Sequence, residues 1–153
     1  LLIKSGQGVL GIDLGSKTIG LARSDLSLTF ASPLKTLRRT KFSGDAIRLI
    51  ELIAHEEIGA LILGLPINMD GSEGRRCQST RQFAENFLAM IDIPIVFWDE
   101  RLSTQAVRRT LIEANASRKR QAEAIDKMAA AYILQGALDA MSNAIPTQPS
   151  KLI

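Results

Sequence analysis

Ala60-Leu61-Ile62-Leu63-Gly64-Leu65 is an uninterrupted apolar run closed by Pro66. A strand with one wet face alternates apolar and polar residues, so a run without alternation marks a strand covered on both faces, as in a parallel sheet between helices. The neighbouring segments fit that setting. Upstream, Ser43 can cap a helix whose face is Ile47, Ile50, Ile53 and Ala54, with Gly59 ending it. Downstream, Phe83, Ala84, Phe87, Leu88 and Ile91 recur at helical spacing, and Ile93 to Trp98 reads as another buried strand. The polar stretch between Ile67 and Arg76, with Asp70-Gly71 and Gly74, reads as a flexible loop at a strand end.

The first third of the chain is strand-rich. Val9 to Leu14 and Ile19 to Arg23 form a hairpin around the turn Gly15-Ser16-Lys17, and a third strand is expected around Leu28 to Leu37, where Pro33 suggests an edge position or a bulge. A short helix over Thr104 to Ala114 and a long one over Arg118 to Met141 complete the reading. The fold class is therefore α/β, a mixed sheet flanked by helices, within one domain over residues 1–142. The tail 143–153, with Pro146 and Pro149, is expected to be disordered.

Composition narrows the function classes. The 153 residues are 46% hydrophobic, enough for one domain with a real core. Nineteen Lys and Arg against sixteen Asp and Glu give a net charge of +3, a balance that permits a nucleic-acid partner without demanding one. Cys77 is the single cysteine, which excludes an intramolecular disulfide and a cysteine-built zinc site and fits a reducing, cytoplasmic setting. No stretch approaches the roughly 18 apolar residues of a membrane span, and Leu1 to Val9 has neither a long hydrophobic region nor a small-residue cleavage site. No membrane partner is expected.

Three carboxylates sit where folding alone would not put them. Asp13 ends the run Val9-Leu10-Gly11-Ile12, Glu100 follows Ile95-Val96-Phe97-Trp98, and Asp126 lies among Ala122, Ile125, Ala129 and Ile133 on an apolar helix face. Acids at a core border carry a desolvation cost unless something positive offsets it, and a divalent cation held by oxygen ligands would do so. Ligands in open α/β sheets bind beyond the carboxyl ends of the strands, where Asp13 and Glu100 both fall and to which the last helix can deliver Asp126.

Four segments carry a resemblance that covers nearly the whole chain: Gly11-Ile12-Asp13-Leu14-Gly15 with Ile19-Gly20-Leu21-Ala22; Gly64-Leu65-Pro66 with Asp70-Gly71-Ser72; Asp99-Glu100-Arg101-Leu102-Ser103-Thr104; and Ile125-Asp126-Lys127-Met128-Ala129-Ala130. In this order and spacing the chain resembles the YqgF/RuvX proteins, Holliday junction resolvase-like members of the RNase H-like superfamily associated with nucleolytic processing of pre-16S rRNA. The resemblance implies a five-stranded mixed sheet of RNase H-like fold, metal-dependent phosphodiester hydrolysis, and Asp13, Glu100 and Asp126 as the acidic, metal-holding set. One departure stands out. Resolvases of the RuvC type take their second acid from the end of the fourth strand, where this chain has Gly64-Leu65-Pro66, and Glu100 comes from the strand after it.

The expected chemistry is metal-assisted hydrolysis in which Asp13 bridges two ions roughly 3.5–4 Å apart and Glu100 and Asp126 each hold one side. Magnesium suits hard oxygen donors, and manganese can substitute. Asp99 is expected to support these ligands from behind or to cap the following turn. Lys17, Arg75, Arg76 and Arg101 lie on turns and loops at strand ends, and Arg118 and Lys119 open the helix that carries Asp126, where the helix dipole disfavours cations; contact with nucleic-acid phosphates would explain them, as would plain solvation.

Each feature has a plainer counterpart. Asp13 can accept hydrogen bonds from the turn over Gly15 to Thr18, Glu100 can pair with Arg101 or Arg108, and Asp126 with Lys127 or Arg120. Ser103 and Thr104 read as helix caps rather than nucleophiles, His55 as a surface residue and Cys77 as a packing residue. Pre-rRNA and branched DNA both remain open as substrates, and monomer and homodimer as assemblies. Two further readings compete: a catalytically silent binding module, and a relative of actin-like ATPases, whose first phosphate turn resembles Asp13-Leu14-Gly15-Ser16-Lys17-Thr18 but which need two such domains.

Overall fold

A computed structural model describes residues 3–103 and the helix 118–144, the latter with side chains over 128–142. β1 (Gly8–Leu14), β2 (Thr18–Ser24) and β3 (Ala31–Arg38) form an antiparallel meander; α1 (Phe42–His55) leads to β4 (Ile58–Leu65), and α2 (Arg75–Leu88) leads to β5 (Ile95–Asp99). A helical turn opens at residue 100, and α3 (Arg118–Ala144) follows. The sheet order is β3-β2-β1-β4-β5, with β4 parallel to both β1 and β5. The expected helix over Thr104 to Ala114 lies outside the described residues, as does everything after Ala144; α3 itself runs three residues beyond the expected Met141.

Parity along the strands sorts side chains into two layers. Leu10, Ile12 and Leu14 of β1 and Leu61 and Leu63 of β4 pack with Leu49 and Ile53 of α1 and Phe83 and Phe87 of α2. Val9, Ala22 and Ile62 turn to the other face and meet Ala130, Ile133, Leu134, Ala137 and Leu138 of α3. The apolar run that defines β4 is thus covered on both sides, as its lack of alternation requires. Gly11 is the close-approach point: a Cβ there would lie 2.7 Å from Cβ of Leu134 and 3.0 Å from the backbone oxygen of Ala130. Only glycine lets the helix backbone settle on the strand.

Three local expectations are corrected. The buried face of α1 is Ala46, Leu49 and Ile53, whereas Ile47 is 52% exposed and Ala54 points outward. Apolar residues stand on more than one face of this helix, so the packing partner selects the stripe. The reversal into β4 is made by Glu57, at a left-handed φ of 54°, and Gly59 lies inside the strand. Ser43 does not cap α1; Lys41 holds the N-cap position without a side-chain bond.

Asp45, in the first turn of α1, is fully buried and closes that end instead. Its Oδ1 accepts from the backbone N–H and the hydroxyl of Thr40, both at 2.9 Å, and from Nη2 of Arg48 at 2.6 Å; Oδ2 lies 4.0 Å from Nε of Arg39. Burial pushes this carboxyl up, but the Thr40 and Arg48 donors outweigh it and hold it below the usual carboxylate range. A depressed folded value contributes stability that is present above the unfolded value of about 3.9 and is lost as pH falls through the folded one. Asp45→Asn should therefore cost up to about 3 kcal/mol at pH 7, the lower end for a broken buried pair because both arginines are partly solvated. Urea unfolding at pH 7 and pH 3 should show that gap narrowing; a gap independent of pH would contradict the linkage.

Candidate active site

Asp13 stands on β1 two residues beyond Gly11 and therefore on the α3 side of the sheet. Glu100 stands two residues beyond Trp98, which packs with the α3 layer, so it returns to the same side just past the end of β5. The structure brings the two together. Glu100 is partly buried, and its carboxyl shares a hydrogen bond with the side chain of Asp13. Burial, the nearby Asp13 charge and this bond push the pKa of Glu100 up to about 7, against a smaller opposing effect of Arg76.

Gly64 explains how an acid from β5 reaches this place. A Cβ on Gly64 would lie 2.6 Å from Oε1 of Glu100 and 2.6 Å from Cδ1 of Ile133. Glu100 therefore occupies the space above the end of β4 that a side chain from β4 itself would fill.

Asp126 belongs to α3, described there as backbone only. The helix runs opposite to β1: Leu134 sits over Gly11, and Ala130 lies against both Gly11 and Gly20, the β2 residue paired with Asp13. Asp126 precedes Ala130 by four residues, about 6 Å of helix rise, on the turns that continue past the level of Asp13. Among the described residues, no group of three or more His, Cys, Asp or Glu could hold a metal ion. The Asp13–Glu100 pair still fits one: two hard carboxylate donors meet at a half-buried rim, and a divalent cation would offset the burial and mutual repulsion that push Glu100 up.

The other expected residues separate clearly. Arg101 does not pair with Glu100. It is a fork on Asp99, with Nη2 at 2.7 Å and Nε at 3.0 Å from Oδ2, and its backbone N–H donates to Oδ1 of Asp99 at 3.0 Å. Its Nη1 reaches the backbone oxygen of Asn68 at 3.4 Å, so the Asp99–Arg101 pair ties the loop after β4 to the end of β5. Ser103 is a correction: it is buried, and its Oγ accepts from Nε1 of Trp98 at 2.9 Å rather than capping a helix. Lys17 and Arg75 are exposed at the rim, His55 is exposed and Cys77 is buried, while Thr104 and Arg108 lie outside the described residues and Arg118 and Lys119 are described as backbone in the first turn of α3.

Sequence reasoning missed Arg39. From the end of β3 its Nη1 donates to the backbone oxygen of Gly15 at 2.7 Å, and its own N–H donates to the oxygen of Lys17 at 2.9 Å. The turn that follows Asp13 is thereby clamped to β3. An arginine in Arg38-Arg39-Thr40 gives no local sign of this role, because it depends on the register between β2 and β3.

This order of strands, with carboxylates at the sheet rim and a long helix across one face, is a RuvC-like α/β fold of the RNase H type. Thermus thermophilus RuvC, solved in complex with a Holliday junction substrate, shares it with a TM-score of 0.53 at 17% identity, over 89% of this chain and 96% of that one; a second RuvC structure from the same organism gives 0.52. Within that class the chain belongs to the RuvX family, whose model, described as Holliday junction resolvase, matches residues 7–140. A protein of Paramagnetospirillum magneticum named "Putative pre-16S rRNA nuclease" is 62% identical over 133 residues, 87% of this chain and 86% of the relative. One of the same name from Rhodospirillum rubrum is 55% identical over 144 residues, 94% of this chain and 89% of the relative.

Proposed function

We propose that the protein is a divalent-metal-dependent nuclease that hydrolyses nucleic-acid phosphodiester bonds, acting in the maturation of the 5′ end of pre-16S rRNA. The observation that carries this reading is the Asp13–Glu100 pair, two acids from distant strands held against one another at the sheet rim. The names of the relatives support the choice of pre-rRNA, and the RuvC-like fold keeps a four-way DNA junction as the second candidate substrate.

Asp13, Glu100 and Asp126 would hold the metal, with magnesium the ion best matched to carboxylate oxygens. When bound, the metal would lower the pKa of an attacking water and stabilise charge on the leaving oxygen. The chain's own contribution is positional. Arg39 fixes the turn behind Asp13, Gly64 leaves room for Glu100, and the Asp99–Arg101 pair fixes the backbone on either side of it. Lys17, Arg75, Arg118 and Lys119 would contact the substrate backbone, with Arg101 available only to the extent that Asp99 leaves it. Among the described residues no helix is long and apolar enough to cross a membrane, and a cytoplasmic site of action goes with this substrate.

Incubating the protein with a pre-16S rRNA fragment and with a four-way DNA junction, each with magnesium, manganese or EDTA, tests the reading. Metal-dependent cleavage of the RNA is expected. Cleavage of the junction alone would move the assignment to recombination, and binding without cleavage in either metal would favour a silent module. Tight ATP binding without nucleic-acid binding would favour the ATPase relationship.

A further inference from the structure

A second feature lies at the same end of the sheet as the carboxylate pair, on the opposite side of β1. The β1–β2 turn, the end of β3 and the first turns of α2 enclose a cavity of about 200 Å³. It is lined by Leu14, Gly15, Ser16, Arg39, Arg76, Ser79 and Thr80. Two arginines, two serines and a threonine therefore line one small space, and none of its described lining residues is an acid. At this size it falls below the roughly 300 Å³ at which pockets for drug-sized ligands begin, and it suits a single compact group.

One of the two cationic side chains, Arg39, is built into place, and Arg76 is exposed. Arg39 is held between the Gly15 oxygen and the fully buried Asp45, whose Oδ2 lies 4.0 Å from Nε. Arg76 lies in the first turn of α2, behind Gly74 at the N-cap, with Arg75 beside it and no acid in that turn. Cations at the positive end of a helix dipole are disfavoured, and an anion there would reverse the sign of that interaction. Position supplies the second half of the argument. Leu14 and Gly15 directly follow Asp13, and the charge of Arg76 is felt at Glu100, so the cavity lies at the same end of the sheet as the acidic pair.

We infer that this cavity is a phosphate subsite, holding an internal backbone phosphodiester of the strand beside the one presented to Asp13 and Glu100. The inference rests on the proposed nuclease reading for the identity of the strand. Arg39 and Arg76 supply charge-assisted donors to the nonbridging oxygens, and Ser16, Ser79 and Thr80 complete the donor set. The subsite would fix the strand's register over the acidic pair without reading its bases.

The test is equilibrium binding of a single-stranded RNA oligonucleotide with a 5′-hydroxyl, in EDTA so that no cleavage occurs, across a series of KCl concentrations. Arg39→Gln and Arg76→Gln are each expected to weaken binding several-fold and to flatten the log-log salt dependence by about 0.7. Arg39→Gln also loosens the Gly15 turn, so Ser79→Asp serves as the independent variant: it places an acid in the cavity from an exposed helix position and should weaken binding without lowering the melting temperature. Lys35→Gln, on β3 beside a different cavity, should leave the slope unchanged. Unchanged slopes in Arg76→Gln and Ser79→Asp would overturn the subsite, as would a defect confined to Arg39→Gln with a lower melting temperature. An effect seen only with a 5′-phosphorylated oligonucleotide would replace the internal phosphodiester by a terminal phosphate. Because binding is read in EDTA, a wild type that fails to cleave RNA would refute the nuclease reading and leave the slopes to judge the subsite separately.

Discussion

Asp13→Asn and Glu100→Gln are each expected to reduce metal-dependent RNA cleavage by about 10³-fold or more, because a lost carboxylate ligand removes several kcal/mol of transition-state stabilisation and each 1.36 kcal/mol is a tenfold change. RNA affinity in EDTA should change little, since the basic contacts remain. Stability should move in the other direction. A carboxyl whose folded pKa is pushed up to about 7 costs stability as pH rises from its ordinary value toward 7 and beyond, because the folded state resists giving up the proton. Glu100→Gln removes that cost, so its melting temperature should exceed that of the wild type at pH 8 and match it near pH 4. Magnesium should raise the wild-type melting temperature at pH 8 and leave that of Asp13→Asn nearly unmoved, as binding to the folded state alone requires. Undiminished cleavage by either variant, once contaminating nuclease is excluded, would remove the pair from the chemistry.

The large features of this arrangement are legible in the sequence because burial dictates them. The unbroken apolar run of β4 announces cover on both faces, and the structure supplies α1 and α2 on one side and α3 on the other. Asp13 and Glu100 are conspicuous for the same reason, as acids at the ends of apolar runs. What the sequence hides is pairing across distance. Arg101 is the nearest cation to Glu100 in sequence, yet the turn after β5 gives it to Asp99, and Glu100 meets Asp13 from the far side of β4. Ser103 has the composition of a cap, but its distance from the Trp98 indole is set by the chain's reversal, which no local pattern encodes. The clamp from Arg39 to Gly15 needs three strands in register before it exists.

Gly64 is the position where the fold and the proposed chemistry meet most directly, and Gly64→Ala is the second variant with a large expected effect. The added Cβ would meet Oε1 of Glu100 and Cδ1 of Ile133, both 2.6 Å away, and Cγ of Glu100 at 3.1 Å. These are side-chain atoms and can move, so the fold should tolerate the methyl group at the lower end of the 1–3 kcal/mol usual for overpacking. Catalysis should not tolerate it. Glu100 can relieve the contact only by leaving the space above β4, which takes its carboxylate away from Asp13, and a displacement of about 1 Å in a positioned group can cost 10²-fold in rate. The expected result is a folded protein that melts within a few degrees of the wild type and cleaves RNA at least about 10²-fold more slowly. Adding Gly64→Ala to Glu100→Gln should slow cleavage little further, because both changes disable the same group. Full activity in Gly64→Ala would show that the carboxylate from β5 does not need the place over β4, and a further large loss in the double variant would show that Gly64 acts on something other than Glu100.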